Sequence, residues 1–307
     1  ERADFLAGAA KNGIGEAVAN QLFDEMSSFA NYADAAIVVI AHPSCEQLDY
    51  MPGGVAEGIT FEHGEPLSLT QNELDLIELA KEASDKVIIL LQSSVSVEIG
   101  TLKNDPEVDA ILWCGVPGNY GFLGVADILC GKVSPSGGLF DIFTAYNMSA
   151  PAMQNFGRLY YSNTEGTVAR TGGILGFKPG AYAIEAEGIY VGYRYYDLHP
   201  EEIWFPFGHG LHYTTFEYKN AAAVKNDKGW ELSFDLTNAG EMDGAEAVQL
   251  YVGDPVSTVS KPIKELKQFE KVFLKAGETK RVTFQITDED LSYYNVSMHQ
   301  WVVENGV

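Results

Sequence analysis

Between about residue 15 and residue 145, apolar runs of strand length alternate with stretches of helical period, the pattern of parallel strands joined by crossover helices. The runs Ala35 to Ile40, Val87 to Leu91 and Ala110 to Trp113 are short, bounded and rich in aliphatic residues, which predicts strands buried on both faces. Ahead of the second run, Thr70 and Glu73 have the spacing of a capping box and Leu69 can staple onto Leu74, so a helix starts there with its apolar stripe continuing through Ile77 and Ala80. Another helix runs through Val125, Ile128 and Leu129 and stops at Gly131, a residue suited to the left-handed conformation. Ser134-Pro135-Ser136-Gly137-Gly138 then reads as a turn or loop.

Residues 146–186 lose periodicity and are rich in Gly, Asn, Ser and Tyr, which predicts a long surface connection without regular structure. Past about residue 216 the pattern becomes strict alternation. Trp230, Leu232, Phe234 and Leu236 share one strand face, Val248, Leu250 and Val252 another, and Val282, Phe284 and Ile286 a third, with turns at Asn238-Ala239-Gly240 and Lys275-Ala276-Gly277. That spacing predicts a β-sandwich of about a hundred residues.

At 307 residues the chain exceeds what one core usually organises, so two domains are expected, each able to bury its own core. Stability therefore does not require self-association, and a homo-oligomer stays open. A hydrophobic fraction of 46% and a charged fraction of 21% are those of a soluble globular protein. No window approaches the roughly 20 apolar residues of a membrane span. With 43 acidic against 20 basic residues, the formal net charge of -23 repels phosphate backbones and anionic lipid, which argues against nucleic acid and membrane partners. Acidity also serves solubility alone, so it excludes more than it assigns. Cys45, Cys114 and Cys130 are odd in number and widely spaced, suggesting neither a disulfide framework nor a zinc site; Cys114 and Cys130 lie in apolar stretches and are expected to fill the core. The chain begins at Glu1 and shows no charged segment followed by an apolar one, so a targeting segment is expected to be absent or removed, and a bacterial cytoplasmic location is favoured over secretion.

In an open α/β sheet, ligands bind beyond the carboxyl ends of the strands. After Ile40 the chain reads Ala41-His42-Pro43-Ser44-Cys45-Glu46-Gln47-Leu48-Asp49-Tyr50, after Leu91 Gln92-Ser93-Ser94, and after Trp113 Cys114-Gly115-Val116-Pro117-Gly118, all polar or glycine-rich. The first stretch opens an aperiodic loop running to about Leu67, and loops of that length are usually functional or disordered. It holds Glu46, Asp49, Glu57, Glu62 and Glu65 and not one Lys or Arg. Crowded carboxylates disfavour one another's ionisation, which suits one of them to be a protonated general acid at neutral pH; a solvated acidic loop is the competing reading. The Gly115 to Gly118 segment has neither a dinucleotide fingerprint nor a P-loop Lys, so it reads as a tight turn and no cofactor is expected. His42 and His63 lack Cys neighbours or a short spacing, so no metal is expected either. The aromatic run Tyr190, Tyr193, Tyr195 and Tyr196 with Trp204, Phe205 and Phe207 reads as core or interdomain packing more economically than as a sugar-stacking platform.

Ala110-Ile111-Leu112-Trp113, Pro117-Gly118, Ala126-Asp127-Ile128-Leu129 and Gly131 through Pro135-Ser136-Gly137 resemble the sandwich domain of family 3 glycoside hydrolases, as do Leu67-Ser68-Leu69-Thr70 and Asn104-Asp105-Pro106. A more specific piece is Glu187-Gly188-Ile189-Tyr190-Val191-Gly192-Tyr193-Arg194-Tyr195-Tyr196 followed by Phe205-Pro206-Phe207-Gly208-His209-Gly210-Leu211-His212-Tyr213. Asp243-Gly244-Ala245-Glu246, Val248 to Val252, and Lys264-Glu265-Leu266-Lys267 with Phe269 resemble the family's fibronectin-like module. The resemblance covers nearly the whole chain. It implies an α/β fold, an αβα sandwich with a mostly parallel sheet over residues 1–212, followed by an all-β immunoglobulin/fibronectin type III-like sandwich over 213–307.

The resemblance further implies a retaining, exo-acting, β-glucosidase-like enzyme that removes terminal non-reducing β-linked sugars. In such enzymes one carboxylate attacks the anomeric carbon while another protonates the leaving oxygen and then activates water. The family's nucleophilic Asp comes from a β/α barrel, which no part of this chain resembles. The implied partners are thus a carbohydrate, a β-glucoside or related oligosaccharide, and a barrel domain in the same or another chain, and this chain alone is expected to be inactive. The family's acid/base Glu sits in a Ser-Gly-Glu-Gly-x-Asp-Arg-like motif after the first strand of the sandwich domain. Ser44-Cys45-Glu46-Gln47-Leu48-Asp49-Tyr50 matches it at Ser, Glu and Asp, while Cys45, Gln47 and Tyr50 replace the two glycines and the Arg. The match implies Glu46 as acid/base with Asp49 in support; Glu65 is second choice and Glu57 third, and His42, Ser44, Tyr50 and His63 are expected to line the sugar. Two other functions fit the same resemblance: a non-catalytic carbohydrate-binding or scaffolding module, and a hexosaminidase-like enzyme whose acid/base His lies in the barrel.

Overall fold

The strand runs and helical stretches form the elements their periods require. The computed structural model describes residues 2–11, 13–28, 34–42, 65, 67–156, 159–160 and 181–305, and the chain divides into two compact units, 1–117 and 118–307.

In the first unit, helices α1 (Arg2–Lys11) and α2 (Glu16–Ser27) pack together. The Arg2 guanidinium joins them by donating to Asn20 at 2.6 Å and Asp24 at 2.8 Å. Strand β1 (Ala36–Ile40), helix α3 (Gln71–Ala83), strand β2 (Val87–Leu91), the short helix α4 (Gly100–Lys103) and strand β3 (Ala110–Trp113) follow. The three strands form one parallel sheet in the order β1-β2-β3, with Ile40 opposite Leu91 and Leu91 opposite Trp113. The capping box forms as the sequence predicts: the Glu73 N–H donates to the Thr70 hydroxyl at 3.2 Å and the Thr70 N–H donates to the Glu73 carboxylate at 2.7 Å. Central β2 meets the expectation of burial on both faces, with Val87, Ile89, Leu90 and Leu91 all buried. Strand β1 does not. Val38 and Ile40 are buried while Ile37 is 49% and Val39 44% exposed, because β1 is an edge strand and, among the described residues, α3 packs against it on one face.

The second unit opens with α5 (Gly118–Leu129), which ends as predicted with Gly131 at φ +67°. Cys130, expected in the core, is exposed, since it follows the helix away from Val125, the buried residue of α5; Cys114 is half-buried. Residues 146–186 also depart from the expectation of an unstructured connection. After β4 (Phe143–Thr144) come a 3₁₀ turn at Asn147–Ser149, α6 (Pro151–Gln154), and β5 (Leu159–Tyr160) paired antiparallel with β6 (Ala181–Tyr182). These elements are too short for any period to register. Helix α7 (Tyr193–Tyr196) and strand β7 (Ile203–Phe205), which pairs with β4, carry the aromatic run. Its rings are packing groups: Tyr193 lies 5.7 Å from Phe207 and 5.8 Å from Tyr251, and its hydroxyl accepts from the Leu266 N–H at 2.7 Å.

Two glycine-bearing segments of this unit meet at backbone distance. A Cβ on Gly210 would fall 2.4 Å from the Gly137 carbonyl oxygen, and one on Gly138 would fall 2.9 Å from that of Gly208, so neither site accepts a side chain without the backbones parting. Two backbone hydrogen bonds cross this seam, the Leu139 N–H donating to the His209 carbonyl and the Gly208 N–H to the Leu139 carbonyl. His212 fastens it to the sandwich, with Nδ1 at 2.7 Å from the Pro135 carbonyl and Nε2 at 3.0 Å from Glu246.

Strands β8 (Phe216–Asn226), β9 (Gly229–Asn238), β10 (Gly244–Val252), β11 (Glu265–Leu274) and β12 (Thr279–Ile286) make the sandwich, as sheets β12-β9-β8 and β10-β11. A short helix α8 (Asp288–Leu291) and a small hairpin, β13 (Tyr293–Asn295) and β14 (Gln300–Val302), complete the unit. Leu236, Val248, Val272, Leu274, Val282 and Phe284 form its core. Buried Asn238 secures the predicted turn: its amide donates to the carbonyls of Met242 and Leu274 while its oxygen accepts from the Thr214 hydroxyl and the Gly240 N–H. Near the end of the chain, Glu304 accepts from Thr258, Ser257, Tyr293 and Lys261. No helix among the described residues is long and apolar enough to cross a membrane.

Two predictions follow from this packing. The Thr258 hydroxyl, with Ser257, Tyr293 and Lys261 behind it, outweighs partial burial and holds the Glu304 pKa down at about 2. A carboxyl whose folded pKa lies below its unfolded one stabilises above the unfolded value, near 4.5, and loses that contribution as pH falls toward about 2. The thermal midpoint of the sandwich should therefore drop more steeply between pH 5 and pH 2.5 (roughly the window those two values bracket) in the native protein than in Glu304→Gln; parallel curves would contradict the clamp. Separately, Leu274→Ala, at a side chain with no exposure, should lower the sandwich's stability by about 2–5 kcal/mol in chemical denaturation.

Candidate functional site

Parallel strands all exit on one side, so the carboxyl ends of β1, β2 and β3 share an edge. Backbone pairing continues just past it: the Gln92 N–H donates to the Ile40 carbonyl at 2.8 Å and the Cys114 N–H to the Leu91 carbonyl at 3.1 Å. Beyond β2, the Ser93 hydroxyl donates to the Val95 carbonyl at 2.7 Å, and the Trp113 indole from the end of β3 donates to the Ser93 carbonyl at 2.8 Å. The three strand ends are thereby tied to one another.

Polar side chains concentrate at this edge and are closed off from solvent. His42, Ser68, Thr70, Ser93 and Glu98 are all buried. Ser68 donates from its N–H and its hydroxyl to the Glu65 carbonyl, at 3.0 and 2.7 Å. The Glu98 N–H donates to the Leu67 carbonyl at 2.8 Å, and Ser68 and Glu98 form a parallel bridge, so the segment leading into α3 is stitched to the one leaving β2.

One carboxylate links the first strand to the first crossover helix. Glu73 Oε2 accepts from the Thr70 N–H and hydroxyl at 2.7 and 2.9 Å, while Oε1 faces His42 Nδ1 at 3.5 Å. The His42 side chain has no exposure. Burial alone would raise the Glu73 pKa, but the His42 ring and the two Thr70 donors outweigh it and hold the carboxyl below its usual value, so it is ionised at neutral pH. Burial pushes the Cys114 thiol in the opposite direction, away from the reactive thiolate.

Of the residues expected to form the site, His42 and Glu65 are described; Ser44, Glu46, Asp49, Tyr50, Glu57 and His63 lie outside the described residues. His42 meets Glu73, and Glu65 is half-buried with its carbonyl engaged by Ser68. Sequence reasoning found Glu73 as a cap and missed it as the partner of His42, because a contact across 31 positions leaves no trace in local spacing. Glu98 and Ser68 were missed as well. Glu98 did leave a signal, a lone carboxylate set between Val97 and Ile99 where apolar residues are the norm. In the second unit His199, Glu201 and Glu202 bring one ring nitrogen and two carboxylates within 4.8 Å of one another, a trio common among exposed acidic groups that hold no ion.

Comparison with known proteins fits this architecture. The family model described as the glycosyl hydrolase family 3 C-terminal domain matches residues 6–213, and that of the fibronectin type III-like domain matches 246–307. Thermostable β-glucosidase B of Acetivibrio thermocellus is 33% identical over 299 residues, spanning 95% of this chain and 35% of that enzyme. An exo-α-(1→6)-L-arabinopyranosidase of Bifidobacterium breve is 31% identical over 241 residues, 78% of this chain and 29% of that enzyme. Among solved structures, β-glucosidase 3B of Thermotoga neapolitana, in complex with α-D-glucose, superposes with a TM-score of 0.72 at 31% identity over 92% of this chain and 36% of that one. The chain thus spans about a third of the length of the curated relatives it matches. A parallel α/β unit with its polar edge, an antiparallel sandwich later in the chain and the matching family models lead to one assignment: the chain belongs to glycoside hydrolase family 3, matching its C-terminal domain and a fibronectin type III-like domain.

Proposed function

We propose that this chain supplies the general acid/base loop of a retaining, exo-acting β-glycosidase, β-glucosidase-like, whose nucleophile lies in a barrel domain outside these residues. The observation that carries the reading is the carboxyl end of β1. There the chain leaves the sheet, beside a buried polar layer, into the only long acidic stretch without a basic residue that follows a strand of the parallel sheet. Glu46, four positions past His42, is the acid/base; Asp49 supports it, and Ser44, Tyr50 and His63 line the sugar. A carboxyl set among other carboxyls is kept protonated long enough to donate to a departing oxygen, and once ionised it can take a proton from water. The bound partner is a β-linked terminal sugar. The division of the chain at 212/213 into an α/β-sandwich domain and a fibronectin-like brace is part of the same proposal, supported by the residue ranges over which the two family models match. Because the nucleophile comes from elsewhere, these residues alone should not turn over substrate.

The relatives' names include both β-glucosidases and an arabinopyranosidase, so the sugar is best read from a panel of aryl glucosides, xylosides, arabinopyranosides and N-acetylglucosaminides. Within it, Glu46→Gln in the full-length protein should lower kcat/KM on alkyl glycosides, whose leaving groups need protonation, by about 10²–10⁴-fold while largely sparing activated aryl glycosides. An unchanged rate on alkyl glycosides would remove the acid assignment. Preferred cleavage of N-acetylglucosaminides with that unchanged rate would favour an acid/base in the barrel instead.

A further inference from the structure

His42 was expected to touch the sugar, yet its ring is enclosed and turned to the cap of α3. We infer that His42 and Glu73 form a positioning pair that fixes the exit of β1 and, through it, the placement of the acid/base four residues on; this rests on the proposed role of Glu46.

The Glu73 carboxylate divides its oxygens. Oε2 is committed to the first turn of α3 through the Thr70 N–H and hydroxyl, and Oε1 is left facing His42 Nδ1 at 3.5 Å. A capping box needs only the first oxygen, and Gln serves there as well as Glu. The second oxygen and the full negative charge are therefore surplus to capping, and what they meet is the ring at the last described residue before the acidic stretch. The cap is itself well anchored: Thr70 is buried, the preceding Ser68 pairs with buried Glu98, and α3 packs on β1. The ring thus sits between the end of β1, two residues back, and the capped first turn of a helix that packs on that strand. Four residues of chain reach at most about 14 Å, so an error in the direction of exit passes directly into the position of a group that must sit within hydrogen-bond reach of its target.

The test uses the full-length protein and compares alkyl with activated aryl glycosides for Glu73→Gln, His42→Ala and Glu46→Gln, with unfolding midpoints alongside. Glu73→Gln keeps an acceptor for the Thr70 N–H, so helix α3 should survive and the midpoint should hardly change. The expected result is a loss in kcat of at least about tenfold on alkyl glycosides for Glu73→Gln and His42→Ala, approaching 10²-fold if displacement nears 1 Å. KM should be little changed and aryl glycosides largely spared, mirroring Glu46→Gln, with His42→Gln recovering part of the rate. If Glu46→Gln shows that selective loss while Glu73→Gln and His42→Ala show none, or lose equally on both substrates, the positioning pair is overturned and the acid assignment stands. If Glu46→Gln itself shows no selective loss, the acid assignment falls and the positioning role falls with it.

Discussion

Three strands that run parallel must all leave the sheet at the same edge, and this constraint organises the first unit. The order β1-β2-β3 sets Ile40, Leu91 and Trp113 side by side, so whatever follows them is gathered without further instruction. Burial of β2 at the centre of the sheet supplies the stability, and the strand ends supply the place. Polar groups there are costly unless paired: Trp113 donates to Ser93 and Ser68 to Glu65, while the His42 ring lies 3.5 Å from the Glu73 carboxylate. Hydrogen bonds from Gln92 to Ile40, Cys114 to Leu91 and Trp113 to Ser93 run between the strand ends and tie them together.

The second unit solves a different problem, that of holding irregular segments against a sandwich without long elements of their own. It does so with backbone contact and a few multivalent side chains. The glycines at 138 and 210 allow two segments to approach closer than any side chain permits, and His212 bridges that seam to Glu246 on β10. Tyr193 reaches from α7 to the Leu266 backbone and meets Tyr251 edge to face, while Asn238 spends every hydrogen-bonding atom of its amide on three neighbouring segments. The aromatic run is consumed by this packing. Its rings face protein, which is why the reading of it as packing was the sounder one from sequence.

Much of the fold was legible because period survives burial. Val87 to Leu91, Ala110 to Trp113 and the capped helix after Thr70 appear where their patterns indicated, as do the inward faces of β9 and β12. Strand β11 was harder to read, because exposed Phe269 and Phe273 put apolar residues on both faces and erase alternation. Strand β8 was hidden by a register shift between Lys219 and Ala222, next to Asn220 at φ +53°. The polar edge was legible as a location and not as a set of contacts: spacing revealed the Thr70–Glu73 cap, but which strand its second oxygen would meet depends on three-dimensional neighbourhood alone. Cys130 shows the limit from the other side, since an apolar stretch on a helix does not say which of its faces is covered.

The central claim is that the exit of β1 delivers a carboxyl to a sugar held by another domain. Its most direct measurement is a crystal structure of the full-length protein with a non-hydrolysable thio-linked disaccharide bound. The account predicts the Glu46 carboxyl within about 3 Å of the interglycosidic sulfur, hydrogen-bond reach for a general acid, with His42 still enclosed against Glu73. A different carboxyl or a barrel side chain at that sulfur, with Glu46 turned to solvent, would contradict it.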